Sequence, residues 1–278
     1  MNSKLVLPAP AKLNLFLHIT GQREDGYHLL QTVFQFLDYG DRISLSLNRQ
    51  GKIRRISQHP EVAEQDDLVV RAAHLLRKQT GTKLGVDIFV EKHLPMGGGL
   101  GGGSSDAATV LRGCNKLWQC GLSRDELAKT GLQLGADVPV FIQGFAAWAE
   151  GVGEQLTPVQ PAEKWYLVIQ PDVSISTAKI FRQEGLTRDC LPITIPDFLQ
   201  GHGTNVLESV AVRLYPQMAK ALDWLSAYAP ARMTGSGSCI FAGVDSQQVA
   251  EEILAKLPEP WEGFVAKGVN VSPLEAFL

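Results

Sequence analysis

The chain's 278 residues are 45% hydrophobic and 20% charged with a net charge of -3, a globular balance with room for about two domains. So little net charge excludes the basic footprint of a nucleic-acid binder or an anionic-membrane binder, and neither is expected as a partner. Cys114, Cys120, Cys190 and Cys239 show no C-x-x-C or zinc spacing and no stretch approaches the ~18 apolar residues of a membrane span, so packed, reduced thiols in a soluble protein are expected.

Residues 1–20 carry Pro8, Pro10 and Lys12 and lack both a basic n-region and an uninterrupted apolar core, which points to a cytoplasmic location. Leu13 to Ile19 alternates, with Leu13, Leu15, Leu17 and Ile19 on one face and Lys12, Asn14, Phe16 and His18 on the other. The turn REDGYH at residues 23–28 precedes expected strands at Thr32–Leu37 and Ile43–Leu47. Asp66–Lys78 reads as a helix, acidic at its start and basic at its end. A strand at Val86–Val90 runs into a glycine-dense loop, followed by an apolar helical face of Ala107, Val110, Leu111, Cys114, Leu117 and Trp118. Ser123–Leu134 is a helix with an S-x-x-E capping box and a Gly135 stop, and strands are expected at Val138–Ile142 and Phe145–Ala149.

The polar stretch TPVQPAEK at residues 157–164 is the best linker, so the expected division is 1–158 and 159–278. Beyond it come a strand at Trp165–Gln170, helices at Asn205–Leu214 and Gln217–Tyr228, a TGSGS turn at 234–238, a strand at Cys239–Val244 and a helix at Gln247–Leu257. Strands and helices interleave without a repeating βα period, which predicts an α+β fold of two lobes.

The glycine loop is the most informative segment. PMGGGLGGGSSD at residues 95–106 places six glycines among positions 97–103, immediately before a helix. Without side chains, backbone N–H groups can close on phosphate oxygens, and a helix N-terminus adds open donors and its positive dipole end. Walker A nearly fits residues 97–104, but its lysine position is Gly103. The Rossmann reading wants an acidic strand end about 20 residues on, where this chain has the helix start SRDEL. The protein-kinase motifs are absent. A flexible linker or packing turn is the bland alternative, against which stands the lack of any polar spacer between strand and helix.

Phosphoryl transfer also needs charge neutralisation and a group that positions the acceptor hydroxyl. Lys12 and Asn14 share a strand face, although a lysine at a strand start is usually just solvated. Asp137 in GADVPVF sits between a helix-ending glycine and Pro139, where a carboxylate is presented from a turn; stabilising that turn is its competing role. Tyr27 and His28 can offer an aromatic face and ring nitrogens to a base, or simply pack. His59, His74, His93 and His202 form no ligand spacing, and Trp118, Phe145, Trp148 and Trp165 read as core.

PAPAKLNLFLHI at residues 8–19, DGYH, P-M-GGGLGGGSS, GADVPVF and RMTGSGSCIFA at 232–242 occur in that order along nearly the whole chain. This ordered set resembles the GHMP kinase superfamily, and within it the group whose acceptor is 4-diphosphocytidyl-2-C-methyl-D-erythritol. The resemblance implies an N-terminal lobe like domain 2 of ribosomal protein S5 and a ferredoxin-like C-terminal lobe. It implies transfer of a phosphoryl group from ATP, with Mg²⁺ expected, to the 2-hydroxyl of that acceptor in non-mevalonate isoprenoid synthesis, by a monomer or weak homodimer. A non-catalytic nucleotide sensor on the same fold and a sister kinase for another alcohol are the alternatives. In such enzymes the loop holds the ATP phosphates, which maps onto Pro95, Met96, Gly97, Gly98, Gly99, Leu100, Gly101, Gly102, Gly103, Ser104 and Ser105. The two serines would meet phosphate or magnesium; no other metal ligand is implied. The family's lysine and aspartate pair maps onto Lys12 and Asp137, and substrate contacts onto Asn14, Tyr27, His28 and Phe181. Two positions depart from the family pattern: Asp67 replaces an asparagine, removing an amide donor near the expected adenine, and Val206 replaces an aspartate in N-D-x-E.

Overall fold

Two strands far longer than their alternation predicts organise the chain. β1 (Lys4–Gln22) and β2 (His28–Asn48) form one antiparallel ladder closed by the D-G turn. Thr32–Leu37 and Ile43–Leu47 are two stretches of β2, continuous through the polar residues between them. Pairing carries on there because Gly40 lets the backbones close: a Cβ on it would lie 2.2 Å from the Ala9 carbonyl oxygen. β1 is buried on both faces from Ala9 through Ile19, not on the leucine face alone. It runs through three apolar clusters in turn, at Leu7 and Ala9, then Ala11 to Phe16, then Leu17 and Ile19. The computed structural model describes residues 3–58 and 62–278, so His59 lies outside the described residues.

After β2 come β3 (Ile53–Arg55), α1 (Leu68–Thr80), β4 (Gly85–Glu91), α2 (Gly102–Leu117), α3 (Arg124–Leu132), α4 (Val138–Gln143), β5 (Ala147–Glu150) and β6 (Gln155–Pro158). Asp67 caps α1 by accepting from Val69 N–H, and Gly81 ends it in the left-handed region. The Ser123–Glu126 capping box of α3 is present in both directions. Val138–Ile142 is a helix, contrary to the strand expected. Five successive buried apolar residues carry no usable period, and the deciding signals are Pro139 in the first turn and left-handed Gly144 at the end.

The chain continues through β7 (Trp165–Gln170), α5 (Thr177–Phe181), α6 (Ile195–Leu199), α7 (Val206–Leu214), α8 (Pro216–Ser226), β8 (Ala231–Met233), β9 (Ile240–Val244), α9 (Gln247–Leu254) and β10 (Glu262–Val269). β8, β10, α5 and α6 have no counterpart among the expected elements; β8 is three residues long, the two helices are only five, and Gly263 and Gly268 interrupt the alternation of β10.

β1 takes one edge of β2. The other edge is shared by β5 at Thr32–Phe34, β10 at Phe36–Leu37 and β4 at Arg42–Asn48. Through β10 the sheet continues to β7, β9 and β8, so the architecture is α+β and two-lobed, as expected. One cluster fills the N-terminal lobe around Phe36, Ile88, Leu111 and Phe141; a second fills the C-terminal lobe around Leu167, Leu207, Met218 and Ile240. The third, with Phe16, Leu100, Trp148 and Phe241, lies between them. Each fully buried side chain of this size contributes roughly 1.5–3 kcal/mol, so the lobes are joined by core and not by a hinge alone. Among the described residues no helix is long and apolar enough to cross a membrane.

Candidate active site

The glycine loop leaves β4 at Glu91 and enters α2 at Gly102. Gly97, Gly99 and Gly101 take φ near +70°, which L side chains seldom adopt. Gly99 is required for a second reason: a Cβ there would fall 2.2 Å from the Thr234 carbonyl oxygen. The loop thus lies backbone to backbone against the TGSGS turn of the other lobe. Cys239 N–H donates to Gly98 O at 3.1 Å, the Thr234 hydroxyl to Gly99 O at 3.4 Å, and Lys12 N–H to Leu100 O at 3.0 Å. Asn205 and Glu208 brace the turn from behind. The Asn205 amide donates to Met233 O and Gly235 O, both at 2.8 Å, and Glu208 accepts from Met233 N–H at 2.7 Å. In the NVLE motif, then, the first and last residues carry the contacts, and Val206 between them is simply the first residue of α7.

At the mouth of α2 the first intrahelical bond is Ser105 N–H to Gly101 O, so the N–H groups of Gly102, Gly103 and Ser104 have no helical acceptor. Gly101 offers no capping side chain. These three donors face a cavity of about 1110 Å³, beyond the ~300–1,000 Å³ of an ordinary single-ligand site. Residues 95–104 all line it. Ser105 does not: it is wholly buried and its Oγ has no hydrogen-bond partner, so of the two serines only Ser104 reaches the cavity.

Lys12, Asn14, Asp137, Tyr27, His28 and Phe181 line the same cavity. Lys12 is 3% exposed. Its ammonium lies 2.6 Å from Asn14 Oδ1, 3.0 Å from Gly99 O and 3.3 Å from Asp137 Oδ2, with its charge 5.3 Å from the Phe34 ring centroid. An ammonium has three donors, and here all three have oxygens to meet. The Asn14 amide nitrogen donates to Thr32 Oγ1 at 3.0 Å, which turns its oxygen toward the lysine. Asp137, at the N-cap of α4, makes no capping bond with its side chain and is 34% exposed toward the cavity. One carboxylate oxygen faces the lysine, and the other has no hydrogen-bond partner among the described residues.

Behind the loop lies an ionic cluster that the sequence reading missed. Lys92 bonds Asp41 and, at 2.9 Å, Asp106 in the first turns of α2, while Asp41 accepts from His93 and Leu94 N–H at 2.6 and 2.8 Å. Burial pushes Asp106 up to about 7 against the pull of Lys92. Asp67 is bound to Arg55 besides capping α1, so its carboxylate is already engaged at the cavity edge. At the far end Tyr27 is 64% exposed, His28 packs on Phe181 at 5.0 Å between ring centroids, and Arg188 donates to His28 Nε2 at 3.1 Å. Nothing in the motif spacing marks Arg188, which reaches His28 from 160 residues away.

An open helix N-terminus, a side-chain-free loop and a buried lysine beside a half-exposed carboxylate, all on one cavity, define a phosphotransferase that works on small molecules. The model of the GHMP kinases N-terminal domain matches residues 67–145, and that of the GHMP kinases C-terminal domain matches 195–263. The chain is 58% identical over 270 residues to the 4-diphosphocytidyl-2-C-methyl-D-erythritol kinase of Nitrosococcus oceani, covering 97% of this chain and 96% of that one. To the kinase of the same name from Pseudomonas syringae pv. tomato it is 54% identical, covering 100% and 99%. A crystal structure of 4-(cytidine 5'-diphospho)-2C-methyl-D-erythritol kinase superposes with a TM-score of 0.82 at 31% identity, over 95% of this chain and 99% of that one. The chain belongs to the GHMP kinases, in the family of 4-diphosphocytidyl-2-C-methyl-D-erythritol kinases. It is an ATP-dependent kinase.

Proposed function

We propose that this chain transfers the γ-phosphoryl group of ATP to the 2-hydroxyl of 4-diphosphocytidyl-2-C-methyl-D-erythritol, yielding the 2-phosphate and ADP, within the non-mevalonate route to isoprenoids. The observation that carries the reading is the Lys12–Asp137 pair at 3.3 Å on the cavity into which the glycine loop and α2 open. Full-length identity of 53–58% to kinases of that name supports the choice of acceptor.

In this mechanism the loop and the free N–H groups of residues 102–104 hold the phosphates. The acceptor hydroxyl, placed at the open oxygen of Asp137, gives its proton to that carboxylate as its oxygen attacks the γ-phosphorus. The bond from the γ-phosphorus to the bridging oxygen breaks, and ADP leaves. Lys12, fixed by Asn14 and Gly99, holds Asp137 in orientation and offers positive charge to the transferring group. Tyr27, His28 and Phe181 form the slot for the pyrimidine. Among the described residues no group of three or more carboxylate, histidine or cysteine side chains could hold a metal, and Ser104 is the one loop hydroxyl on the cavity. That donor set fits a magnesium ion carried by the ATP phosphates and water, with Ser104 as its protein-side contact. The lobes divide after Pro158, and the working form is a cytoplasmic monomer or weak homodimer.

The decisive experiment is a coupled ADP-release assay with the diphosphocytidyl alcohol, mevalonate and galactose as parallel acceptors. ADP release with the first alone is expected. ATP binding without release on any of them would mark a sensor, and a preference for mevalonate or galactose would overturn the acceptor.

A further inference from the structure

Arg188 stands outside the phosphate loop and the Lys12–Asp137 pair, yet four of its five guanidinium donors are directed. Nη2 donates to the carbonyls of Phe181 at 2.8 Å and Gln183 at 3.1 Å, and Nη1 donates to that of Leu186 at 3.2 Å. Three backbone acceptors therefore wrap residues 181–188 around the guanidinium and set its plane. Nε donates to His28 Nε2, 3.1 Å away, and of the five donors only the second Nη1 hydrogen has no acceptor among the described residues.

A guanidinium has five donors and no acceptor, so His28 Nε2 must be the acceptor in this bond. An imidazole that accepts at Nε2 is neutral and carries its proton on Nδ1. Burial, and then the charge of Arg188, both hold the His28 pKa below its ordinary value, which agrees with a neutral ring. Among the described residues Nδ1 makes no hydrogen bond, while the ring packs on Phe181 and lines the main cavity with Tyr27.

We propose that Arg188 is a specificity-determining positioning residue, which locks His28 in the Nδ1–H form so that the base slot presents a donor. A donor there reads an acceptor edge. Cytosine offers adjacent acceptors at O2 and N3, whereas uracil places an N3–H donor between its carbonyls and sets donor against donor. The inference rests on the cytidine-bearing acceptor argued above. It adds that the choice of base is made by a residue that never touches the base. Without Arg188 the ring can carry its proton on Nε2 and present a lone pair at Nδ1, which would suit uracil.

The test has two independent readouts. In ¹⁵N-labelled full-length enzyme, long-range ¹H–¹⁵N correlation spectra at neutral pH should show His28, assigned by its loss in His28→Gln, with a protonated Nδ1 and a bare Nε2. In Arg188→Met the signal should move toward the Nε2–H form. The same variant should raise KM for the diphosphocytidyl acceptor about tenfold, equivalent to roughly 1.4 kcal/mol, with kcat and KM for ATP unchanged, and should shrink the preference for a cytosine over a uracil acceptor by a similar factor. Arg188→Lys, which keeps the charge but not the fork, should shift both readouts the same way if the Met variant folds poorly. A wild-type His28 found with its proton on Nε2, or doubly protonated, would overturn the proposal, as would an unchanged base preference in both variants. Should the wild type use neither base-bearing acceptor, the substrate reading and the base-edge step fail together, while the spectra still decide whether Arg188 sets the tautomer.

Discussion

Asp137 is held from one side only. Lys12 meets one of its oxygens, no backbone N–H caps it, and the remaining oxygen faces the cavity. Replacing it with asparagine keeps the shape and removes both the proton acceptor and the negative charge. Lys12 keeps Asn14 Oδ1 and Gly99 O, so the fold should survive. Asp137→Asn should then lower kcat by about 10²–10⁴, the usual worth of a general base, with little change in either KM; steady-state kinetics giving near-normal kcat would remove Asp137 from that role. Asp106 presents the opposite situation, a carboxylate whose burial outweighs its partner. Its pKa stands near 7 in the folded chain against an ordinary 3.8. A raised carboxylate favours folding while protonated in both states, below about 4, and that contribution is lost as pH climbs toward 7. Asp106→Asn, with Lys92 still paired to Asp41, should therefore stabilise the protein progressively more between pH 5 and pH 8. Melting curves of the two proteins that stay a constant distance apart across that range would show that Asp106 is ionised throughout.

At the level of elements, the loop and α2 carry a separable prediction. At Gly101 a Cβ would strike Phe141 at 2.8 Å and approach Lys12 Cε at 3.0 Å, with φ at +75°. Gly101→Val must disturb Lys12 together with the loop proposed to hold the phosphates, so both kcat and ATP affinity should fall. Gly103 is helical, and a Cβ there meets only Leu68 at 3.4 Å. Gly103→Ala should hold or raise the melting temperature, since alanine favours a helix by about 0.5–1 kcal/mol. It should also raise KM for ATP about tenfold, roughly 1.4 kcal/mol, by placing a methyl group among the open donors. Unchanged ATP affinity in this variant would mean that phosphate does not rest on the helix mouth. The same elements show what was legible in the sequence. Lys12 and Asn14 at a strand spacing of two, the S-x-x-E box and the glycine loop could all be read, because each signal is local. α4 was misread because VPVFI is apolar throughout and its helical punctuation, Pro139 and Gly144, lies at the ends. β2 was split because Asp38, Gly40, Asp41 and Arg42 look like a turn until Gly40 is seen packed on β1. The Asp41–Lys92–Asp106 cluster and the Arg188–His28 bond could not be read, since they join residues 51 and 160 positions apart that only the folded sheet and loop bring together.

Across the whole molecule Asp137, the proposed proton acceptor, is positioned by both ends of the chain. α4 presents Asp137 at its start, and its end is held by residues that follow β10, the strand joining the lobes. Ser272 N–H donates to Gly144 O at 3.0 Å, Ala146 N–H donates to Asn270 O at 2.8 Å, and Leu274 is buried in the N-terminal core. Glu275 is the centre of this attachment. Its two oxygens take Arg112 from α2 and Arg124 from α3, and Arg124 in turn donates to Gln143 O at 3.0 Å, on the last residue of α4. A Cβ on Gly144 would lie 2.1 Å from the Glu275 carboxylate, so the glycine that ends α4 also admits the staple. Arg112 is a buried guanidinium, which makes the loss of its counter-ion costly, by about 3–5 kcal/mol for a buried pair broken on one side. Glu275→Gln keeps the volume and removes the charge. Its melting temperature should fall by roughly 6–20 °C on the usual 2–4 °C per kcal/mol for domains of this size class. At a temperature where the variant is still folded, kcat should fall more than either KM, because what loosens is the helix that aims Asp137 and not a surface that touches substrate. A melting temperature within experimental error of the wild type would mean that Arg112 finds its compensation elsewhere. A rise in KM at constant kcat would mean that the staple shapes the binding cavity and leaves the aim of the carboxylate unchanged.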